Sequence, residues 1–103
     1  MKITEIVTMK TLEGVTKFEF INIVDGLEKN FHSLQPGFID TELLYNDESE
    51  EWCMIQHWTS KENLKEASKK IFTDPAAEAF VRSLDKHSVK MLIFPQLSTW
   101  NKQ

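Results

Sequence analysis

Thr41 and Gln56 each interrupt an apolar run, FIDTELLY and WCMIQHW. A primary amide carries two N–H donors and a carbonyl acceptor, so Gln56 has the means to orient a substrate hydroxyl or carbonyl. In an apolar setting such a group needs partners. A cross-strand hydrogen bond between Gln56 and Thr41 satisfies both residues without any ligand. Trp58 ends the second run, and its indole suits stacking on a planar molecule as well as filling a small core. His57 and Asp40 have the types of a general base and the carboxylate that orients it; a pair buried in an interface is the other reading. His32 adjoins an amphipathic stripe and is within reach of a cavity rim, whereas His87 sits in a polar stretch. None of these identifies a catalytic base, and the catalytic residues stay unassigned.

Other chemistries find no support. GxSxG, GxGxxG and phosphate-binding loops are absent. Cys53 is the only cysteine, which rules out an internal disulfide and fits a reducing, cytoplasmic setting. The run DESEE lacks the glycine and the alternating ligands of a calcium loop and reads as a solvated turn, so no metal is expected. Lys61, Lys65, Lys69 and Lys70, offset by Glu62 and Glu66, read as the wet side of a helix. The net charge of −4 provides no basic field for nucleic acid or an anionic membrane. There is no apolar run of the ~18 residues a membrane span needs. MKITEIVTMK lacks the continuous apolar stretch of a signal peptide. At 103 residues the chain is read as one domain, 1–103.

The elements that must position these side chains follow from periodicity. ITEIVTM, residues 3–9, is β-branched and predicts a strand. From Val15 to Leu34 the residues Phe20, Val24, Leu27, Phe31 and Leu34 draw one stripe down a helix. Gly26 weakens that helix by up to about 1 kcal/mol relative to Ala, and QPG ends it. Residues 38–45 and 52–58 form a hairpin with an acidic loop. Thr59 and Glu62 read as a capping box for a helix starting near Ser60, with Leu64, Ala67 and Ile71 buried. Asp74-Pro75 restarts a helix on Ala77, Phe80, Val81 and Leu84. Val89 to Leu97 predicts a fourth strand, and the tail STWNKQ packs, if at all, by Trp100. The order implies a split βαβ: an α+β, ferredoxin-like βαββαβ fold with a four-stranded antiparallel sheet covered by helices on one face.

If Tyr45 and Trp52 close the hairpin loop, Leu43 faces Met54, Thr41 faces Gln56 and Ile39 faces Trp58. That side is apolar apart from Thr41 and Gln56. The other side carries Leu44 with Cys53, Glu42 with Ile55, Asp40 with His57, and Phe38 with Thr59. A one-residue slip would put Asp40 and Glu42 beside Trp58 and Met54. Burying unpaired carboxylates costs several kcal/mol, so the helices are expected over the tryptophan side. The opposite face, a slab of roughly 400 Å², still exposes apolar side chains on the scale of a functional patch. A second copy packed sheet to sheet as a two-fold dimer covers it.

PGFIDTELL, IQHWTSKENLKEA and PAAEAF, in that order from Pro36 to Phe80, resemble the antibiotic-biosynthesis monooxygenase family. The resemblance implies a dimeric α+β barrel with a ligand cavity between each sheet and its own helices. It also implies, for some members, oxygenation of electron-rich aromatics without any cofactor. Trp58 matches the strand-end tryptophan that lines the cavity in oxygenase members. Their polar Asn, four residues earlier, falls on Met54, which cannot donate a hydrogen bond. Haem-degrading members need a Trp near Ala67, a His near Phe80 or Val81 and an Asn on the first strand, and this sequence has none of these. The expected ligand-binding set is Trp58, Gln56, Met54 and Thr41 from the hairpin with Phe31 and Phe80 from the helices. The expected function is a cytoplasmic homodimer, a cofactor-independent monooxygenase of an aromatic or quinone-like substrate. The alternative is a non-enzymatic ligand-binding or accessory dimer whose core is filled by its own side chains.

Overall fold

The computed structural model describes residues 1–102. Strand β1 spans Ile3–Thr11, helix α1 Lys17–Asn30, β2 Phe38–Asn46, β3 Glu51–Trp58, α2 Lys61–Lys70, α3 Glu78–Ser83 and β4 Leu84–Pro95, with 3₁₀ turns at His32–Leu34 and Pro75–Ala77. The strands form one antiparallel sheet in the order β2-β3-β1-β4. This is the ferredoxin-like α+β arrangement expected from the element order.

Helices α1 and α2 and the 3₁₀ turn that leads into α3 start where a side chain can take up free backbone N–H groups. The Thr16 hydroxyl accepts from Glu19 N at the head of α1, and Asp74 accepts from Ala76 N ahead of Pro75. At α2 the cap is Ser60, accepting from Asn63 N, and not the Thr59–Glu62 box. Thr59 instead accepts from the Asn63 side chain at 3.1 Å.

The helices cover the face that carries Trp52, Met54, Gln56 and Trp58, all at least nine-tenths buried. Phe20, Val24, Leu27 and Phe31 from α1, with Phe80, pack on Trp52 and Met54. Leu64 and Ala67 from α2 pack with Ile3 and Trp58. Phe20 anchors the larger group, its ring 4.7 Å from Trp52 and 5.9 Å from Phe80.

Three further expectations change. The α1 stripe does not reach Leu34. The helix ends at Phe31 (φ −126°, ψ −67°), and the 3₁₀ turn that follows rotates His32 inward and leaves Leu34 exposed. In the hairpin the expected register holds from Asp40↔His57 to Tyr45↔Trp52, but Phe38, not Ile39, faces Trp58. An extra residue at Ile39 turns the start of β2 over, placing Phe38 on the helical side and Ile39 toward solvent. Gly37 just before it has φ +81°, and a Cβ there would lie 2.7 Å from Asn63 Cβ, so both the conformation and the contact need glycine. Finally, β4 begins at Leu84 and ends at Pro95. Its first half pairs Leu84 and Asp85 with Thr11 and Lys10 before the register shifts by Thr8↔Lys90. Ser88 bridges the irregularity, its hydroxyl accepting from Lys10 N at 2.7 Å and donating to Asp85 O at 2.6 Å. That interruption breaks the strand alternation in DKHSV. Beyond β4 Leu97 and Trp100 are exposed, so Trp100 does not pack the tail down; Gln103 lies outside the described residues.

Candidate functional site

Between the sheet and the helices lies a pocket of about 290 Å³, at the low end of small-molecule sites. Met54, Gln56 and Trp58 of β3 and Glu5, Val7 and Met9 of β1 form its floor. Ala67, Ile71, Phe80 and Val81 come from the helical side, and exposed Phe72 and Lys86 also line it. Period-2 alternation explains the floor, since residues two apart on a strand share a face.

Of the residues expected around a ligand, Trp58, Gln56, Met54 and Phe80 line this pocket. Thr41 and Phe31 do not. Thr41 stands behind Gln56, whose Nε2 donates to its hydroxyl at 2.9 Å, so the cross-strand bond expected as the purely structural role is present. Phe31 is fully buried against the neighbouring His32, ring edge to ring face at 5.1 Å between centroids.

One corner is polar. His32 is 5% exposed and its Nδ1 lies 2.5 Å from Glu28 Oε2. The imidazole stacks on Phe38 at 5.5 Å and meets the Trp58 edge at 6.1 Å. Gln56 Nε2 reaches the ring too, 3.2 Å from Nδ1 and 3.4 Å from Nε2. Glu5, the β1 neighbour of Gln56, is 4% exposed in the same corner. Burial pushes its carboxyl above the ordinary value; the Trp58 indole N–H and the His32 ring oppose this without cancelling it. The indole nitrogen is close enough to favour the Glu5 anion, yet it makes no hydrogen bond of ordinary geometry and is shut off from water.

Glu5 and Glu28 were absent from the sequence-derived site. For Glu5 the signal was present, because Ile3, Glu5, Val7 and Met9 alternate along β1 and the face of Ile3 and Met9 is buried. Glu28 lies one helical turn before His32, which matters only once the break at Phe31 turns that ring inward.

A buried carboxyl with a raised pKa has a definite pH signature. The folded state holds the proton more tightly than the unfolded state. Stability is therefore greatest below the ordinary value near 4.5 and falls as pH rises through the raised value. Glu5→Gln is expected to raise the urea midpoint at neutral pH, with the gain disappearing below about pH 4. An equal gain at both pH values would show that Glu5 is not desolvated.

The remaining titratable candidates lie elsewhere. His57 Nδ1 is 2.5 Å from Asp40 Oδ1 on the sheet face away from the helices, outside the pocket. Burial, with Glu51 and Glu42 nearby, pushes the Cys53 thiol up, away from nucleophilic thiolate. Asp47 of the acidic loop pairs with Lys17 at 2.6 Å, both side chains exposed. Among the described residues no three His, Cys, Asp or Glu side chains are grouped to hold a metal ion, and no helix is long and apolar enough to cross a membrane.

The fold recurs in solved structures. SnoaB, a cofactor-independent oxygenase from Streptomyces nogalater, matches with a TM-score of 0.73 at 18% identity over 98% of each chain. A conserved protein from Methanosarcina mazei Go1 matches at 0.70, with 17% identity over 94% of each chain. Rv0793 from Mycobacterium tuberculosis matches at 0.68, with 10% identity over 98% of this chain and 100% of that one. At such identities the likeness concerns the fold alone. No curated protein matches the chain. The family model described as antibiotic biosynthesis monooxygenase matches residues 3–83, from β1 to the end of α3, and this chain therefore belongs to the antibiotic biosynthesis monooxygenase family.

Proposed function

We propose that this protein is a cofactor-independent monooxygenase acting on a small aromatic or quinone-like substrate in the pocket between sheet and helices. The observation that carries the reading is a single polar corner, Gln56, His32 and Glu5, in a pocket otherwise lined mainly by apolar side chains. A planar apolar ligand would be held on Trp58, Met54 and Phe80, with one oxygen function turned to Gln56. Thr41 fixes the amide, and Phe31 backs the His32 turn. Family membership and the fold shared with SnoaB support the reaction type.

In this chemistry the substrate anion passes one electron to O₂. The resulting radical pair joins at carbon, and the peroxide loses water. A ring CH₂ and O₂ thus become C=O and H₂O. The protein supplies a water-poor site and donors placed where negative charge sits. Met54 occupies the position at which oxygenase members carry Asn, and Gln56 takes over the donor role from the same face two residues on.

The working unit proposed is a homodimer formed through the outer sheet face, in a reducing cytoplasm that suits the single free cysteine. Across that face Ile55, Ile6 and Leu92 run in one row, with Leu44 and Phe94 in the rows beside it. Leu44, Leu92 and Phe94 are exposed in the single chain.

Oxygen uptake with anthrone-type and hydroquinone substrates tests the activity. Gln56→Leu is expected to lower kcat about 100-fold, the scale of losing one donor to a developing anion. If wild-type protein consumes no oxygen above the buffer rate, the oxygenase reading is lost. Binding without uptake would favour the accessory, ligand-binding reading, to which Met54 also points.

A further inference from the structure

The chemistry just proposed needs a substrate anion, and the family's polar Asn position is occupied here by Met54. The structure offers a different group for the proton. His32 is buried on the pocket wall, held by Glu28 one turn earlier on α1. A carboxylate 2.5 Å from Nδ1 fixes the Nδ1–H tautomer, which leaves the lone pair on Nε2. The Gln56 amide nitrogen lies 3.2 Å from Nδ1 and 3.4 Å from Nε2, across both ring nitrogens and not in line with the Nε2 lone pair, and 3.4 Å is long for a hydrogen bond. The Nε2 lone pair is thus loosely engaged in a pocket that shields it from bulk water.

The surroundings also accommodate the ring after it takes a proton. Glu28 then faces an imidazolium, as an oriented ion pair with its carboxylate 22% exposed. Gln56 is bonded to the Thr41 hydroxyl. A hydroxyl serves equally as donor or acceptor, so the amide can turn over and present its carbonyl to the protonated ring without losing its second bond. The charged or titratable groups facing the ring are Glu28 of α1 and Glu5 of β1; Gln56 and Thr41 are neutral, and Phe38 and Trp58 are aromatic. Burial pushes the Glu5 carboxyl toward its neutral form, which disfavours a second negative charge beside a substrate anion.

We infer that His32 is the catalytic base of this pocket, taking the proton from the acidic hydroxyl of a bound phenol or enol, and that Glu28 is its positioning residue. In the step the substrate O–H bond breaks and an Nε2–H bond forms. The electron pair stays on the substrate oxygen, leaving an anion beside an imidazolium, and no oxidant is consumed. The assignment rests on the pocket being the ligand site.

The test separates the two claims by excluding oxygen. Under anaerobic conditions 2-naphthol is added to the protein, binding is followed by equilibrium dialysis, and ionisation of the bound naphthol by its absorbance across pH. Wild type is expected to raise the ionisation constant of bound naphthol at least tenfold over that in buffer. His32→Asn should bind naphthol but lose this shift, and Glu28→Gln should bind it with a smaller shift. Should His32→Asn fail to fold, Glu28→Gln, altered at a partly exposed position, carries the test. Binding without any shift in wild type, or an undiminished shift in either variant, overturns the base assignment and leaves the pocket reading standing. No binding to wild type overturns both.

Discussion

Trp58→Ala is expected to cost about 4 kcal/mol of folding stability, the usual scale for truncating a buried aromatic. The indole is 1% exposed and packs with Ile3, Leu64 and Ala67 while meeting Phe38 and His32 edge-on. The indole thus joins the sheet, α2 and the His32 turn. A domain has about 5–15 kcal/mol in all, so the variant should unfold at much lower urea with the slope of the transition unchanged. Protein concentration must be held constant, because association would add to apparent stability. Trp58→Phe is the informative companion. It keeps a ring in the site and removes an indole N–H that has no hydrogen bond, so the cost is that of the smaller ring and the space it leaves, about 1–2 kcal/mol. It also withdraws a group that favours the Glu5 anion, so the Glu5 carboxyl should move further up. A cost below 1 kcal/mol for Trp58→Ala would mean that the layer over the pocket is held by something other than this indole.

Leu92→Asp addresses the outer face. Leu92 is 55% exposed in the single chain and sits opposite Ile6 on β1, so the substitution should leave the protomer folded. In a sheet-to-sheet dimer, two-fold symmetry introduces the change twice. Each copy loses about 1.5–3 kcal/mol of leucine burial and adds the desolvation of a carboxylate. Together these exceed about 4 kcal/mol, and the dimer dissociation constant should rise by about a thousandfold or more. Sedimentation at micromolar concentration reads this directly: wild type as dimer, the variant as monomer, with unchanged circular dichroism. A variant that sediments as a dimer places the association surface elsewhere.

The readings that succeeded came from patterns repeated over many residues. The stripe Phe20, Val24, Leu27, Phe31 is a helix because four residues agree on one face, and all four are buried. The hairpin faces were legible because one register buried two tryptophans and the other buried two carboxylates, a difference of several kcal/mol. Misreadings cluster where one residue resets the phase. The extra residue at Ile39 exchanged Ile39 and Phe38, the break at Phe31 exchanged Leu34 and His32, and the irregular stretch around Ser88 hid the first half of β4.

The amino-acid sequence by itself determined the order of elements, the covered face of the sheet and the place of Gln56 and Trp58 on that face, because hydrophobic periodicity commits whole segments. Only the tertiary structure decided that Glu5, Glu28 and His32 meet Gln56 in one buried corner. Their convergence depends on β1 pairing with β3 and on the turn after α1 bringing an imidazole over both. Such contacts between distant segments, set by a single backbone break, leave no period along the chain to be read.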